Sequence, residues 1–216
     1  MTSVAGTVLS VNVGKTTHFE YKNRPAKSAI WKSPVEGRVA VRGVNLHGDE
    51  QADREAHGGP DKAVYTYAIE DIRWWEGELG RPLEIAQLGE NLTIEGLDVT
   101  NALVGERWQI GSVTLEVSEP RVPCWRLGVR MGDPKFVRHF TEARRPGTYL
   151  RIVMEGELGA GDEVRVIERP EHELTIGDVS RIFAGDRDEV ARILSVPQMS
   201  EAWKQWAQGV LEKRKG

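Results

Sequence analysis

The chain carries one cysteine, Cys124, in 216 residues, so an internal disulfide is excluded. No apolar stretch approaches the roughly 20 residues that a bilayer-crossing helix needs. The N-terminus lacks a basic segment followed by an apolar block, so no secretory signal is expected. Together with the unpaired thiol, this points to a reducing, cytoplasmic setting without a membrane partner. Close histidine pairs are also missing: His47 and His57 stand ten apart and His139 is remote. Zinc recruits about three or four protein ligands, so a zinc site is not expected. There is no Rossmann-type glycine fingerprint, no iron–sulfur cysteine set and no flavin signature. A formal net charge of −4 argues against a general nucleic-acid binder, while leaving room for a local basic pocket.

What the chain does have is turn residues and short strands. Gly 23 and Pro 10 suit a turn-rich β domain better than a helical bundle. Val4 to Val13 alternates apolar and polar residues, as a half-buried strand does. Further short strands are predicted at residues 29–35, 37–41, 63–67, 97–99, 107–110, 113–117, 149–154 and 163–167. Tyr21 to Lys27 reads as a surface loop. Glu70 to Leu79 has helical spacing and ends at Gly80 and Pro82. After Arg169-Pro170 the pattern changes to three short helices, near Thr175–Phe183, Arg187–Leu194 and Ser200–Lys213, with Ser200 as an N-cap. The reading is mainly β with α: a closed or nearly closed barrel over residues 1–168, then a three-helix segment over 171–216 packed on it.

Cys124 lies in Ser118-Glu119-Pro120-Arg121-Val122-Pro123-Cys124-Trp125-Arg126, where two prolines stiffen the backbone. Three roles are open for it: core filler, redox nucleophile or metal ligand. Arg121 and Arg126 favour the thiolate that the last two roles require. Upstream, His57-Gly58-Gly59-Pro60-Asp61-Lys62 reads either as a tight turn or as an anion-binding concavity, with Lys62 adding charge. Lys32-Ser33 pairs a cation with a hydroxyl, as phosphate binding requires, and the competing reading is ordinary surface. For Arg38 and Arg42 the surface reading is preferred, and for Arg144, Arg145 and Arg151 surface ion pairing is. Asn91, between Glu90 and Leu92, offers two donors and an acceptor and reads either as a reader of a ligand edge or as a turn former.

Gly48-Asp49-Glu50-Gln51-Ala52-Asp53, the His57–Tyr65 segment, Gly89-Glu90-Asn91-Leu92-Thr93 and the proline–cysteine loop follow one another in an order that resembles the MOSC family, the molybdenum-cofactor sulfurase C-terminal type of domain. The resemblance is to its YiiM-like branch, in which a helical segment follows a β-barrel, and it covers nearly the whole chain. It implies that Cys124 is the single protein ligand to molybdenum, whose pterin dithiolene supplies two more sulfurs. It further implies cofactor contacts at Lys32, Ser33, Gly58, Gly59, Asp61, Lys62, Asn91 and Arg121, and proton delivery by His57 or Asn91. The implied cofactor is molybdopterin, with no requirement for pyridoxal phosphate. The implied reaction is reduction of N-hydroxylated compounds, such as 6-hydroxylaminopurine-type base analogues, to amines as a detoxification. Electrons would then come from a separate reductase. The protein would act as a monomer or homodimer. Two rival readings remain: a cofactor carrier without turnover, and a metal-free enzyme with Cys124 as nucleophile and His57 as base.

Overall fold

A computed structural model describes residues 3–53 and 58–214 of the chain. From the N-terminus, β1 (Ser3–Val13) is followed by β2 (Thr17–Tyr21), β3 (Arg24–Ser28), β4 (Ser33–Pro34), β5 (Arg38–Arg42) and β6 (Asn45–Leu46). A 3-10 turn at Pro60–Lys62 leads into β7 (Val64–Ala68), helix α1 (Ile69–Leu79), β8 (Leu92–Glu95), β9 (Arg107–Ile110) and β10 (Val113–Pro120). Helices α2 (Trp125–Met131) and α3 (Phe136–Ala143) precede β11 (Thr148–Met154), β12 (Gly156–Gly159) and β13 (Glu163–Glu168). The tail holds α4 (Ile176–Ala184), a 3-10 turn at Arg187–Glu189, α5 (Ala191–Leu194) and α6 (Glu201–Lys213).

The predicted barrel is closed. Its strands run β13-β9-β10-β11-β7-β8-β1, and β1 pairs antiparallel with β13 to complete the circuit. All neighbours in this circuit are antiparallel except β7 and β8, which run parallel because α1 carries the chain back between them. Closure removes the edge strands and their unpaired backbone groups. Val8, Trp108, Ile110, Leu115 and Leu150 are fully buried inside. Such side chains each contribute about 1.5–3 kcal/mol over exposure.

A second apolar cluster lies where α1, α2 and α3 meet the barrel, built on Tyr67, Trp75, Leu127, Phe136 and Phe140. Trp75 stacks on Phe140 with ring centroids 5.9 Å apart, and its indole N–H donates to the Tyr67 hydroxyl at 2.9 Å. These helices set the outer wall behind the Cys124 loop.

Several predicted elements differ from the observed ones. Tyr21 to Lys27 is part of a hairpin, not a loop: β2 and β3 pair across Lys22 and Asn23, which take φ of 51° and 59°. That tight turn usually carries glycine, so it left little trace in the sequence. Residues 97–99 are not a strand; β8 ends before Gly96, whose φ of 82° turns the chain. Of residues 29–35, Ser33–Pro34 alone forms a strand. β10 runs beyond Val117 to Pro120, where a proline is tolerated because it is the strand's last residue and pairs with Thr148.

The tail packs on the barrel. Ile176, Val179 and Ile182 of α4 are fully buried in the same cluster as the barrel core. A capping box fixes the start of α4: the Asp178 amide donates to the Thr175 hydroxyl at 3.0 Å, and the Thr175 amide donates back to the Asp178 carboxylate at 3.4 Å. Ser200 stands at the N-cap position of α6, yet its side chain does not cap. It donates instead to Glu119 Oε2 of β10 at 2.7 Å, tying tail to barrel beside the cysteine loop. Among the described residues, no helix is long and apolar enough to cross a membrane.

Candidate functional site

Cys124 sits at the N-cap position of α2, half-buried, and lines a cleft at the mouth of the barrel. The walls of that cleft also include Lys32, Asp49, Asn91, Arg121 and Tyr149. The thiol is therefore at an opening and not sealed in the core.

Asp49 organises the inner wall. Its carboxylate accepts the Lys32 ammonium at 2.5 Å, the Gly14 amide at 2.7 Å and the Asn91 Nδ2 at 2.9 Å. The Lys32 and Asp49 side chains are 8% and 3% exposed. Burial holds the lysine below its ordinary pKa; Asp49 opposes that shift, and the nearby Arg121 cation adds to it. Asn91 is committed to the scaffold through its whole amide: Oδ1 accepts the Tyr65 amide at 3.1 Å, while Nδ2 donates to Asp49 and, at 3.2 Å, to the Asn12 carbonyl. Its backbone N–H donates to the Tyr65 carbonyl at 2.7 Å. Gly89, two residues before it, has φ of 83°, and a Cβ there would lie 2.7 Å from Ile30 Cγ1. The Gly89-Glu90-Asn91 motif thus needs glycine for both conformation and room.

Arg121 supplies a buried cation. Its guanidinium donates to the Leu88 carbonyl and stacks 4.8 Å from the Tyr65 ring centre. Burial disfavours its charge, but Tyr65, Tyr149 and Cys124 outweigh that and raise its pKa above the ordinary value. Burial also pushes the Tyr65 and Tyr149 hydroxyls upward, so both stay neutral near neutral pH, and the Tyr65 hydroxyl donates to the Pro146 carbonyl at 2.8 Å. Arg126 lies 3.6 Å from the Asp53 carboxylate and over the Trp125 ring. Cations Lys32, Lys62, Arg121 and Arg126 therefore face acids Asp49, Glu50 and Asp53 around one cleft, leaving a small positive excess among the described residues.

Of the residues assigned from the sequence, Lys32, Lys62, Asn91, Arg121 and Cys124 converge here. Ser33 does not. The chain direction that turns Lys32 inward leaves Ser33 exposed and paired with Val13. Gly58, Gly59 and Asp61 also lie off the cleft walls. The Gly59 amide donates to the Gln51 side chain at 3.0 Å and the Lys62 amide closes a turn on the Gly59 carbonyl at 3.2 Å, so these two N–H groups are already engaged and do not form an anion concavity. The Asp61 carboxylate accepts Arg151 at 2.8 and 2.7 Å. His57 lies outside the described residues. Arg145 pairs with Asp71, and Arg151 with Asp61 and Glu116, as the ion-pairing reading expected; Arg38, read as plain surface, also pairs, with Asp162.

Sequence reasoning missed Asp49, Tyr65 and Tyr149 as site residues. Asp49 and Tyr65 stand inside the motifs that carried the family resemblance, which was the available signal. Tyr149 begins β11 with nothing local to mark it.

A second cleft adjoins the first. Lys62, Cys124 and Tyr149 line both, and the far wall is α4 and α6, through Phe183, Trp203 and Trp206. Glu119 lies at its floor, where burial raises its carboxyl pKa and the Lys62 ammonium at 3.4 Å opposes that shift.

The donor set fits one soft metal centre held by a single thiolate beside an anionic group. Cys124 offers the only thiol in the chain. Among the described residues no three His, Cys, Asp or Glu side chains are placed to cage a metal.

Residues 53–165 match the family model described as MOSC domain. The chain is 36% identical over 200 residues to the uncharacterized protein YflK of Bacillus subtilis (strain 168), covering 91% of this chain and 90% of that one. It is 32% identical over 162 residues to a protein named reductase from Gibberella moniliformis (strain M3125 / FGSC 7600), covering 72% of this chain and 28% of that protein. The crystal structure of YiiM from Geobacillus stearothermophilus superposes with a TM-score of 0.78 at 27% identity, covering 98% of this chain and 100% of that one.

Proposed function

The chain belongs to the MOSC domain family, and from that premise we propose that it holds the molybdenum cofactor (molybdopterin) through the Cys124 thiolate and reduces N-hydroxylated compounds to amines. The observation that carries the reading is the position of Cys124: a half-buried thiol on the shared wall of two clefts, one rimmed by cations. The relative named reductase supports an oxidoreductase reading.

When bound, the cofactor supplies the two-electron chemistry: R–NHOH takes up two electrons and two protons, its N–O bond breaks, and an amine and water leave. The chain's own residues do the rest. Lys32, Arg121 and Arg126 meet the anionic end of the cofactor, Arg121 as a guanidinium fork fixed by the Leu88 carbonyl and the Tyr65 ring. Asn91 acts on the site by orienting Asp49, and Asp49 in turn orients Lys32. Proton delivery to the departing oxygen is assigned to His57. The electrons are assigned to a separate reductase. Hydroxylamino-purines and related base analogues are the proposed substrates, and detoxification the role.

The test uses protein made in a host competent for cofactor synthesis. Reduction of 6-hydroxylaminopurine to adenine is followed with a chemical or enzymatic electron donor. Wild type turns over, and Cys124→Ser loses at least about a hundredfold in rate. Turnover by protein from a host unable to make the cofactor would refute the proposal in favour of a thiol enzyme. Bound molybdenum without turnover would refute it in favour of a carrier.

A further inference from the structure

We infer that the second cleft, walled by the helical tail, is the seat of a flat aromatic substrate, and that Cys124 is the point where this seat meets the cofactor cleft. The inference rests on the function proposed above and names where its substrate lies.

Three observations carry it. First, the two clefts share Lys62, Cys124 and Tyr149, so groups held in each meet at the sulfur. Second, their walls differ in chemistry. The first cleft is rimmed by Lys32, Arg121 and Arg126, whereas the second has Phe183, Trp203, Trp206 and Val122. Phe183, Trp203 and Trp206 form a mutual aromatic corner with centroids 5.2–5.4 Å apart. Phe183 and Trp206 are only half-buried, so ring surface remains open for a planar guest. Aromatic faces accept any flat π system, and neither a phosphate nor an aliphatic chain uses them as well. Third, the floor is polar. Glu119 lines the cleft while only 3% exposed, its carboxylate accepting Ser200 of the tail at 2.7 Å and pairing with the Lys62 ammonium at 3.4 Å.

A heteroaromatic ring satisfies both features: its face covers the open ring surface while its polar edge lies toward the Lys62–Glu119 pair. A purine-type base is such a ring. The tail then has a function beyond packing, since without α4 and α6 the cleft would have no outer wall.

Equilibrium dialysis of the full chain against 6-hydroxylaminopurine, and separately against adenine, reads this without cofactor or turnover. Wild type binds both saturably. Trp206→Ala weakens binding about tenfold or more. Ala202 is exposed on the cleft rim, so Ala202→Leu narrows the cleft without touching the core; it also weakens binding, with an unchanged unfolding midpoint. In turnover the same two variants raise KM and largely keep kcat. The inference falls if neither variant changes purine affinity. It falls equally if purines do not bind, or if Ala202→Leu alters only oligomeric state, which would assign this face to a second copy of the chain. Purine binding through the cleft without any turnover would sink the proposed function and leave the inference standing. Turnover with unchanged KM in both variants would do the reverse.

Discussion

Replacing Asp49 by asparagine tests the organisation of the site most sharply. Three donors converge on this carboxylate: the Lys32 ammonium, the Gly14 amide and the Asn91 amide. Asparagine keeps one acceptor oxygen and turns the other into an NH₂ group, so at least one of the three donors meets a donor. The variant also leaves Lys32, 8% exposed, without its counter-ion. Breaking a buried pair by removing one partner destabilises by about 3–5 kcal/mol. For a chain of 216 residues that is about 6–20 °C in Tm. The double variant Lys32→Met/Asp49→Asn removes the stranded cation and recovers much of the loss, because the two residues are coupled. Urea and thermal unfolding of the four proteins in the cycle measure this. An Asp49→Asn loss below about 1 kcal/mol would refute the argument. So would a double variant no more stable than the single one.

Other consequences follow from particular residues. Gly147 has φ of 63°, and a Cβ there would lie 2.5 Å from Tyr67 Cδ2 and 2.7 Å from the Thr66 carbonyl oxygen. Gly147→Ala therefore destabilises by about 2 kcal/mol or more, read as a lower urea midpoint. Glu90 is fully buried, and burial raises its pKa from the ordinary 4.5. Its folded state binds more protons than its unfolded state, so its contribution is complete below pH 4.5 and is lost as pH rises through the folded value. Relative to Glu90→Gln, wild type thus loses unfolding free energy on going up from pH 4.5, by at most about 1.4 kcal/mol per pH unit. A flat difference between the two proteins would contradict this. Arg121→Lys keeps a charge but loses the planar fork over Tyr65, and weakens cofactor retention while leaving purine binding in the second cleft intact.

How far the sequence could be read depended on whether a signal was local. The alternation of β1 and the stripe of α1 are local, and both were legible. The hairpin through Lys22 and Asn23 was not, because its left-handed turn is made without glycine. Helices α2 and α3 hid behind the proline–cysteine loop and the Gly132-Asp133-Pro134 break, although Phe136 and Phe140 stand one turn apart. At the site, Cys124 and Arg121 were legible from the stiff loop that presents them. Asp49 was not. Apart from its place in a family motif, nothing in the acidic run itself distinguishes a buried hub from a solvated surface acid until Gly14, Lys32 and Asn91 are brought to it from distant parts of the chain. Ser33 and Asp61 failed for the converse reason. Adjacency in sequence to a site residue placed Ser33 on the opposite side of the strand and Asp61 against Arg151.

The central claim is that one sulfur carries the metal. Elemental analysis of the full chain purified from a cofactor-competent host, wild type beside Cys124→Ser, tests it directly. The account predicts molybdenum in the wild type and near-complete loss in Cys124→Ser, with both proteins unfolding at similar midpoints. Equal molybdenum in the two would contradict it.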